Sequence, residues 1–419
     1  NQMIIHKLFL LLALVFISSC SNLLTWHLDK GIHAKNNGQK VTLTTNDSEK
    51  KIYQSSIKTQ IIWDTSVNSG IYGNSSYLYP AVEKDIIYTV DTEGLLSAVS
   101  LEYGNVLWNL DTDVDITSGL SVVNNKICVG TTSAQLLCYD LDKLSTNKHI
   151  PLISNVSNLI SFSDYEADID IDLLTELSSP VQSVNNYFLV KLDNDDLYLI
   201  DPQLDTVIWK STSQIISLRS KGSSMPLVDG DQVYIARDNG SVSSYNVSDG
   251  VLNWFTIISS RSGRNDLESQ RDAEMSINVN NGRLYYGHFQ GELNSLDLAT
   301  GQIIWSSPFS FINDIIIDNN SIYGSTTDNI LVSIDLASGF VNWKSPKSDE
   351  KLTKPFIIDD IVMAFTTEGT LVGFKKDGTL IYESKFDFEL HPQTQFIVKK
   401  NKLYFQTLDG DIVHILITV

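Results

Sequence analysis

The sequence predicts an all-β fold: an eight-bladed β-propeller of four-stranded antiparallel blades, closed into a ring by its N-terminal strand. Three observations predict it. Val, Ile, Thr, Ser, Asn and Asp abound, and no long segment carries the 3.6-residue apolar period of a helix. One hairpin phrase, Gly291–Trp305 (GELNSLDLATGQIIW), recurs along the chain, and self-similarity at a period of some tens of residues marks a repeat fold. Finally, the strands that open and close these hairpins balance only if the two ends of the chain share a blade.

The phrase itself is a β-hairpin. Leu293 and Ser295 alternate along one strand, Asp297–Gly301 turns the chain, and Gly301 supplies the positive φ that such a turn needs. Gln302–Trp305 returns and ends on a large aromatic.

Taken from the start, residues 1–19 read as a lipoprotein signal peptide. Lys7 precedes an apolar run, Leu8–Ile17, that is too short to span a bilayer. Ile17-Ser18-Ser19-Cys20 then resembles a bacterial lipobox, with Cys20 as the lipidated residue. Ser21 follows where an Asp would favour retention in the inner membrane, so the resemblance implies delivery to the outer membrane. Residues 20–50 are polar and aperiodic, the composition of a flexible tether, and residues 51–419 form the propeller.

The first full repeat runs Pro80–Val82, Ile86–Val90, Leu95–Leu101 and Val106–Trp108, four short strands joined by turns. The hairpin then recurs at Leu136–Asp140, Leu197–Asp201, Val242–Asn246, Leu293–Asp297, Ile330–Asp335, Leu371–Lys375 and Ile412–Leu416. Closing strands fall at Trp63, Trp108, near His149, and at Trp209, Trp254, Trp305, Trp343 and Tyr382. The first of these has no hairpin before it, and the last hairpin has no closing strand after it. Ile57–Trp63 is therefore expected to complete the blade that ends at Val419, which removes two open edges. Trp63, Trp108, Trp209, Trp254, Trp305 and Trp343 are expected to wedge between neighbouring blades, each indole N–H finding a carbonyl. Cys128 and Cys138 lie on runs joined near Ser133-Ala134. A two-residue turn there would put them on opposite sides of the sheet, which favours two buried free thiols over a disulfide.

Function is sought where the repeat breaks. Leu144–Glu176 is acidic, and its alternating Asp168, Asp170 and Asp172 lack the Gly and Glu of an EF-hand, so a solvated loop is expected. Two further breaks, Ser211–Ser224 and Thr256–Ser276, leave Trp-terminated strands on consecutive blades and must emerge on one face. They hold Ile216, Leu218 and Arg219 in the first and Asp272 and Glu274 in the second. Apolar residues beside an arginine in a loop suit partner binding; the other reading pairs Arg219 with Asp272 or Glu274 and ties the loops to each other. A net charge of −20, from 50 acidic and 30 basic residues, argues against nucleic acid and against a polybasic lipid-binding face.

The Asp-x-x-x-Gly-x-x-x-Trp repeats resemble those of pyrroloquinoline quinone dehydrogenases. Together with the lipobox, the ISLR loop and the RNDLESQRDAE loop, they make the chain similar to the BamB family, lipoproteins of the machine that inserts β-barrel proteins into the bacterial outer membrane. That resemblance implies a non-enzymatic scaffold without a cofactor, anchored by lipid at the periplasmic face of a Gram-negative outer membrane. Its two loops would dock the POTRA domains of the barrel subunit BamA, with unfolded outer-membrane proteins as further partners. By motif position Ile216, Leu218 and Arg219 match the first docking motif, and Asp272 and Glu274 the second, with Glu274 standing where Asp is usual. The enzyme alternative, a quinone-dependent dehydrogenase, would bring a central acidic calcium site and often two adjacent cysteines; neither is found in this sequence, nor is G-x-S-x-G or H-E-x-x-H. A generic protein-binding propeller of the envelope is the other alternative.

Overall fold

The computed structural model describes residues 41–43, 51–53, 56–68, 70, 78, 80–146, 161–162, 165–213, 224–258, 275–311 and 313–419. Within them lie eight sheets, each built on four antiparallel strands, the blades of a propeller, numbered 1 to 8 in chain order. Blade 1 starts at Ala81–Glu83. Blade 8 is built from Ile397–Lys399, Lys402–Gln406 and Asp411–Thr418, completed on its outer edge by Lys58–Ser66. The predicted ring closure is thus present, with Lys58 opposite Thr418 and Ser66 opposite Asp411.

The repeated residues each have a packing reason. In blade 5, Ser295 faces Trp305 while Leu296 already faces Ile303, so Ile304 is an extra, unpaired residue. Such a bulge bends and twists the outer strand, and here it turns the indole inward while Ile303 and Ile304 stay exposed. The same shift recurs beside Trp63, Trp108, Trp209, Trp254, Trp343 and Tyr382. The indoles of Trp63, Trp209, Trp254, Trp305 and Trp343 then lie on the turn glycine of the next blade. A Cβ on Gly301 (φ +71°) would sit 2.4 Å from Trp254, and one on Gly104 (φ +71°) 2.4 Å from Trp63. Only glycine allows both that backbone and that approach. Trp209, Trp254 and Trp343 donate their Nε1–H to the carbonyls of Val247, Leu298 and Lys376, in the same turns. Contrary to expectation, the buried Nε1–H groups of Trp63 and Trp305 have no hydrogen-bond partner among the described residues. The glycine of the repeat and the tryptophan of the preceding repeat are therefore one joint.

Blade 2 departs from this plan and corrects two expectations. Its outer strand is Ile169–Asp172, paired with Gln135–Asp140, and not a segment near His149. The acidic stretch expected as a solvated loop thus supplies a strand, with Ile171 buried and Asp170 and Asp172 exposed. Period-2 alternation was present in DIDID, but the run of carboxylates hid its apolar half. Ser161–Phe162 adds a fifth, parallel strand to the outer edge of blade 1, opposite Asn109 and Leu110. In place of a glycine turn, a short helix, Leu141–Thr146, puts Leu141 and Leu144 into the buried cluster that holds Trp108. Asp168 fastens the returning chain: it accepts from the Asp140 N–H (2.8 Å), from Tyr165 Oη (3.1 Å) and from Lys143.

The cysteines also differ from expectation. Thr131 pairs with Gln135, its N–H on the Gln135 carbonyl, so three residues rather than two, Thr132, Ser133 and Ala134, connect the strands. The register moves by one and Cys138 lies directly opposite Cys128. Their Cα atoms are 4.1 Å apart and the two form a disulfide, not two free thiols. Val41–Leu43, inside the segment expected as tether, pairs with Lys51–Tyr53.

Candidate partner-docking face

Four antiparallel strands put the connection from each blade to the next on the same face of the disc as the turn between its own second and third strands. Residues 211–224 join blade 3 to blade 4, and residues 256–276 join blade 4 to blade 5. Both therefore rise from one face, on either side of blade 4. Ile216, Leu218, Arg219, Asp272 and Glu274 lie outside the described residues, as does Cys20. The ends of both loops are described, and they are held firmly.

In all eight blades the second-to-third-strand turn closes through one bond, from an N–H to the carbonyl three residues earlier. The accepting residue is Thr131, Thr326, Thr366 or Thr407 in four blades, and Asp91 and Leu192 in two more. In blades 4 and 5 it is Arg237 and His288. Both are buried, at 5% and 0% exposure. Arg237 Nη2 donates to Ser211 Oγ (2.9 Å) and Nη1 to the Thr212 carbonyl (3.3 Å), so its guanidinium grips the start of the first loop. His288 Nε2 donates to the Arg237 carbonyl at 2.8 Å, which fixes that proton on Nε2.

Blade 3 adds a buried ion pair and two buried carboxylates that accept from backbone N–H groups. Lys191 is fully buried, pairs with Asp195 at 3.4 Å, and donates to the Ser224 carbonyl at the far end of the first loop (3.4 Å). Asp195 also accepts from the Asp238 N–H, and Asp196 from the Ser213 N–H, each at 2.8 Å. The first loop is thus tied at both ends to buried charge. The second loop leaves through the Ile258 N–H bonded to the Gly240 carbonyl and returns through the Ser276 N–H on Asp314 (2.6 Å). Burial alone would raise the Asp314 carboxyl, but Lys354 at 3.2 Å and the Ser276 N–H hold it below the usual carboxylate range.

Desolvation makes such buried charge a poor source of stability, though breaking one partner costs several kcal/mol; what it supplies here is position. Sequence reasoning missed Lys191, Asp195, Asp196, Arg237, Asp238 and His288. The signal was there: Arg237 in ARDNG and His288 in GHFQG stand where TTSA, TTDN, TTEG and TLDG carry threonine.

A family model described as outer membrane protein assembly factor BamB matches residues 36–211 and again 171–345. The chain belongs to the BamB family. The BamB of Escherichia coli K12 is 25% identical over 367 residues, covering 84% of this chain and 88% of that protein. That of Yersinia pestis is 26% identical over 260 residues, 61% of this chain and 63% of its own length. The crystal structure of BamB from Moraxella catarrhalis superposes with a TM-score of 0.71 at 18% identity, over 85% of this chain and 99% of that one. At that identity the superposition speaks for the fold alone. The named relatives are outer membrane protein assembly factors.

Proposed function

We propose that this protein is a non-enzymatic scaffold of the outer-membrane β-barrel assembly machinery. Lipidated at Cys20, it is held at the periplasmic face of the outer membrane. It docks the POTRA domains of BamA through Ile216, Leu218 and Arg219 on one loop and Asp272 and Glu274 on the other. Unfolded barrel proteins are brought to the same assembly.

One observation carries this reading. In a chain of the BamB family, the two irregular connections flank a single blade on a single face, and the first is bolted at both ends to buried Arg237, Asp196 and Lys191. Connections that leave a rigid scaffold from fixed roots are where such folds carry recognition. The catalytic alternative has no such support from residues. The test is capture from solubilised outer membranes. Tagged protein should bring down the barrel subunit, and a Cys20→Ala variant should leave the outer-membrane fraction. Failure of the wild-type protein to capture any barrel-assembly subunit refutes the proposal.

A further inference from the structure

A groove of about 740 Å³ opens between blades 6 and 7, under the connection Ser345–Glu350. Blade 6 here runs from Ile316–Asp318 to Val341–Lys344, and blade 7 from Phe356–Ile358 to Leu380–Lys385. Its volume lies within the roughly 300–1,000 Å³ of sites that enclose a ligand. Leu331, Leu352 and Phe374, all buried, form apolar walls. Between them stand two carboxylates, Glu350 and Glu383. Neither forms an ion pair among the described residues, and Glu350 Oε2 is buried without a hydrogen-bond partner. Lys385, at the rim, is directed to Glu368, and Lys347 is exposed. With Asp349 and Glu368, the lining carries four acids against two lysines.

An apolar trough with an unmatched negative charge suits a cation on an alkyl stem, whose methylenes lie along the walls while its head meets the acids. Ser345–Glu350 is a blade-to-blade connection, so the groove opens on the face that bears the two loops. We propose that the groove binds an arginine or lysine side chain carried by an extended segment of a protein docked on that face. Glu350 and Glu383 meet the charge, and Leu331, Leu352 and Phe374 pack on the stem. The docked protein as the source of the cation rests on the function proposed above; the groove's preference for the cation does not. Burial raises the Glu383 carboxyl above its ordinary range, which agrees with a group lacking its counter-ion.

Calorimetry with short peptides tests this on the intact protein. Acetyl-Gly-Arg-Leu-amide should bind at least about tenfold more tightly than the same peptide with neutral, isosteric citrulline, and more tightly than butylguanidinium alone. Glu350→Gln and Glu383→Gln should each erase the difference between arginine and citrulline. Glu383→Gln should also leave the unliganded protein at least as heat-stable as the wild type, because it removes an uncompensated, half-buried charge. Equal binding of the two peptides, no binding of either at millimolar concentration, or an unchanged preference in both variants would overturn the proposal. Butylguanidinium binding as tightly as the peptide would overturn the protein segment as the source. A less stable Glu383→Gln protein would assign that carboxylate to holding the fold instead.

Discussion

Trp63 and Tyr404 lie with ring centroids 6.0 Å apart and planes tilted by 44°, one from each end of the chain. The same pair, a tyrosine of the second strand against a tryptophan of the fourth, recurs as Tyr88–Trp108, Tyr234–Trp254, Tyr285–Trp305 and Tyr323–Trp343, at 5.9–6.0 Å. Blade 8 is therefore an ordinary blade made from two remote segments, and its pair is the clasp of the ring. Trp63→Ala is expected to cost about 3–5 kcal/mol of unfolding free energy in urea, and to expose the first strand to proteolysis before the rest of the disc. A loss under 1 kcal/mol would mean that the clasp lies in backbone pairing alone.

The glycine–tryptophan joint gives a sharper test within one blade. Gly282 (φ +73°) has open space where a Cβ would stand, whereas Gly301 (φ +71°) has Trp254 at 2.4 Å. Alanine at either position carries the left-handed backbone penalty of about 1–2 kcal/mol. Gly301→Ala must also push the indole off its seat and away from the Leu298 carbonyl. It should be the worse of the two by at least about 1 kcal/mol, with a red-shifted tryptophan emission that Gly282→Ala does not show. Equal losses would show that only backbone conformation matters there.

Much of this architecture was legible because tryptophan, glycine and aspartate recur at fixed spacing, and each has one structural reason for doing so. The ring closure followed from counting alone. Blade 2 was not legible: its outer strand lies beyond the helix Leu141–Thr146, and Asp170 and Asp172 alternate with Ile169 and Ile171 in a run that reads as solvated charge. The pairing of Cys128 with Cys138 depended on whether the turn holds two residues or three, a difference that composition does not encode. On the docking face, the irregular loops announced themselves by breaking the repeat. Arg237 and His288 did not, because they break it at one side chain while keeping the turn that surrounds them.

Acid should loosen the clasp. His414 is 3% exposed, stacks on Tyr404 at 4.4 Å and meets Trp63 edge-on at 5.5 Å. Burial, with Lys402 nearby, pushes its imidazole down to about 4. The folded protein then keeps His414 neutral where the unfolded chain, titrating near 6.5, takes a proton. Stability is full above about pH 6.5 and falls as pH drops from there toward 4, by at most about 3 kcal/mol from this residue. His391, also held at about 4 by burial and Lys351, adds a similar slope. His414→Phe keeps the stacking and should flatten part of the decline in melting temperature between pH 7 and 4. An unchanged slope in that variant would exclude His414 as its source.

The central claim, that the loops on either side of blade 4 hold the barrel subunit, is tested most directly by one binding constant. Purified POTRA domains of BamA are titrated into the wild-type protein and into Arg219→Ala. A charge-assisted contact buried on docking contributes on the order of 2–5 kcal/mol, so the variant should bind at least tenfold more weakly while its melting temperature stays unchanged. Equal affinity in the two proteins would contradict the claim, and would leave Arg219 as a tie between the loops.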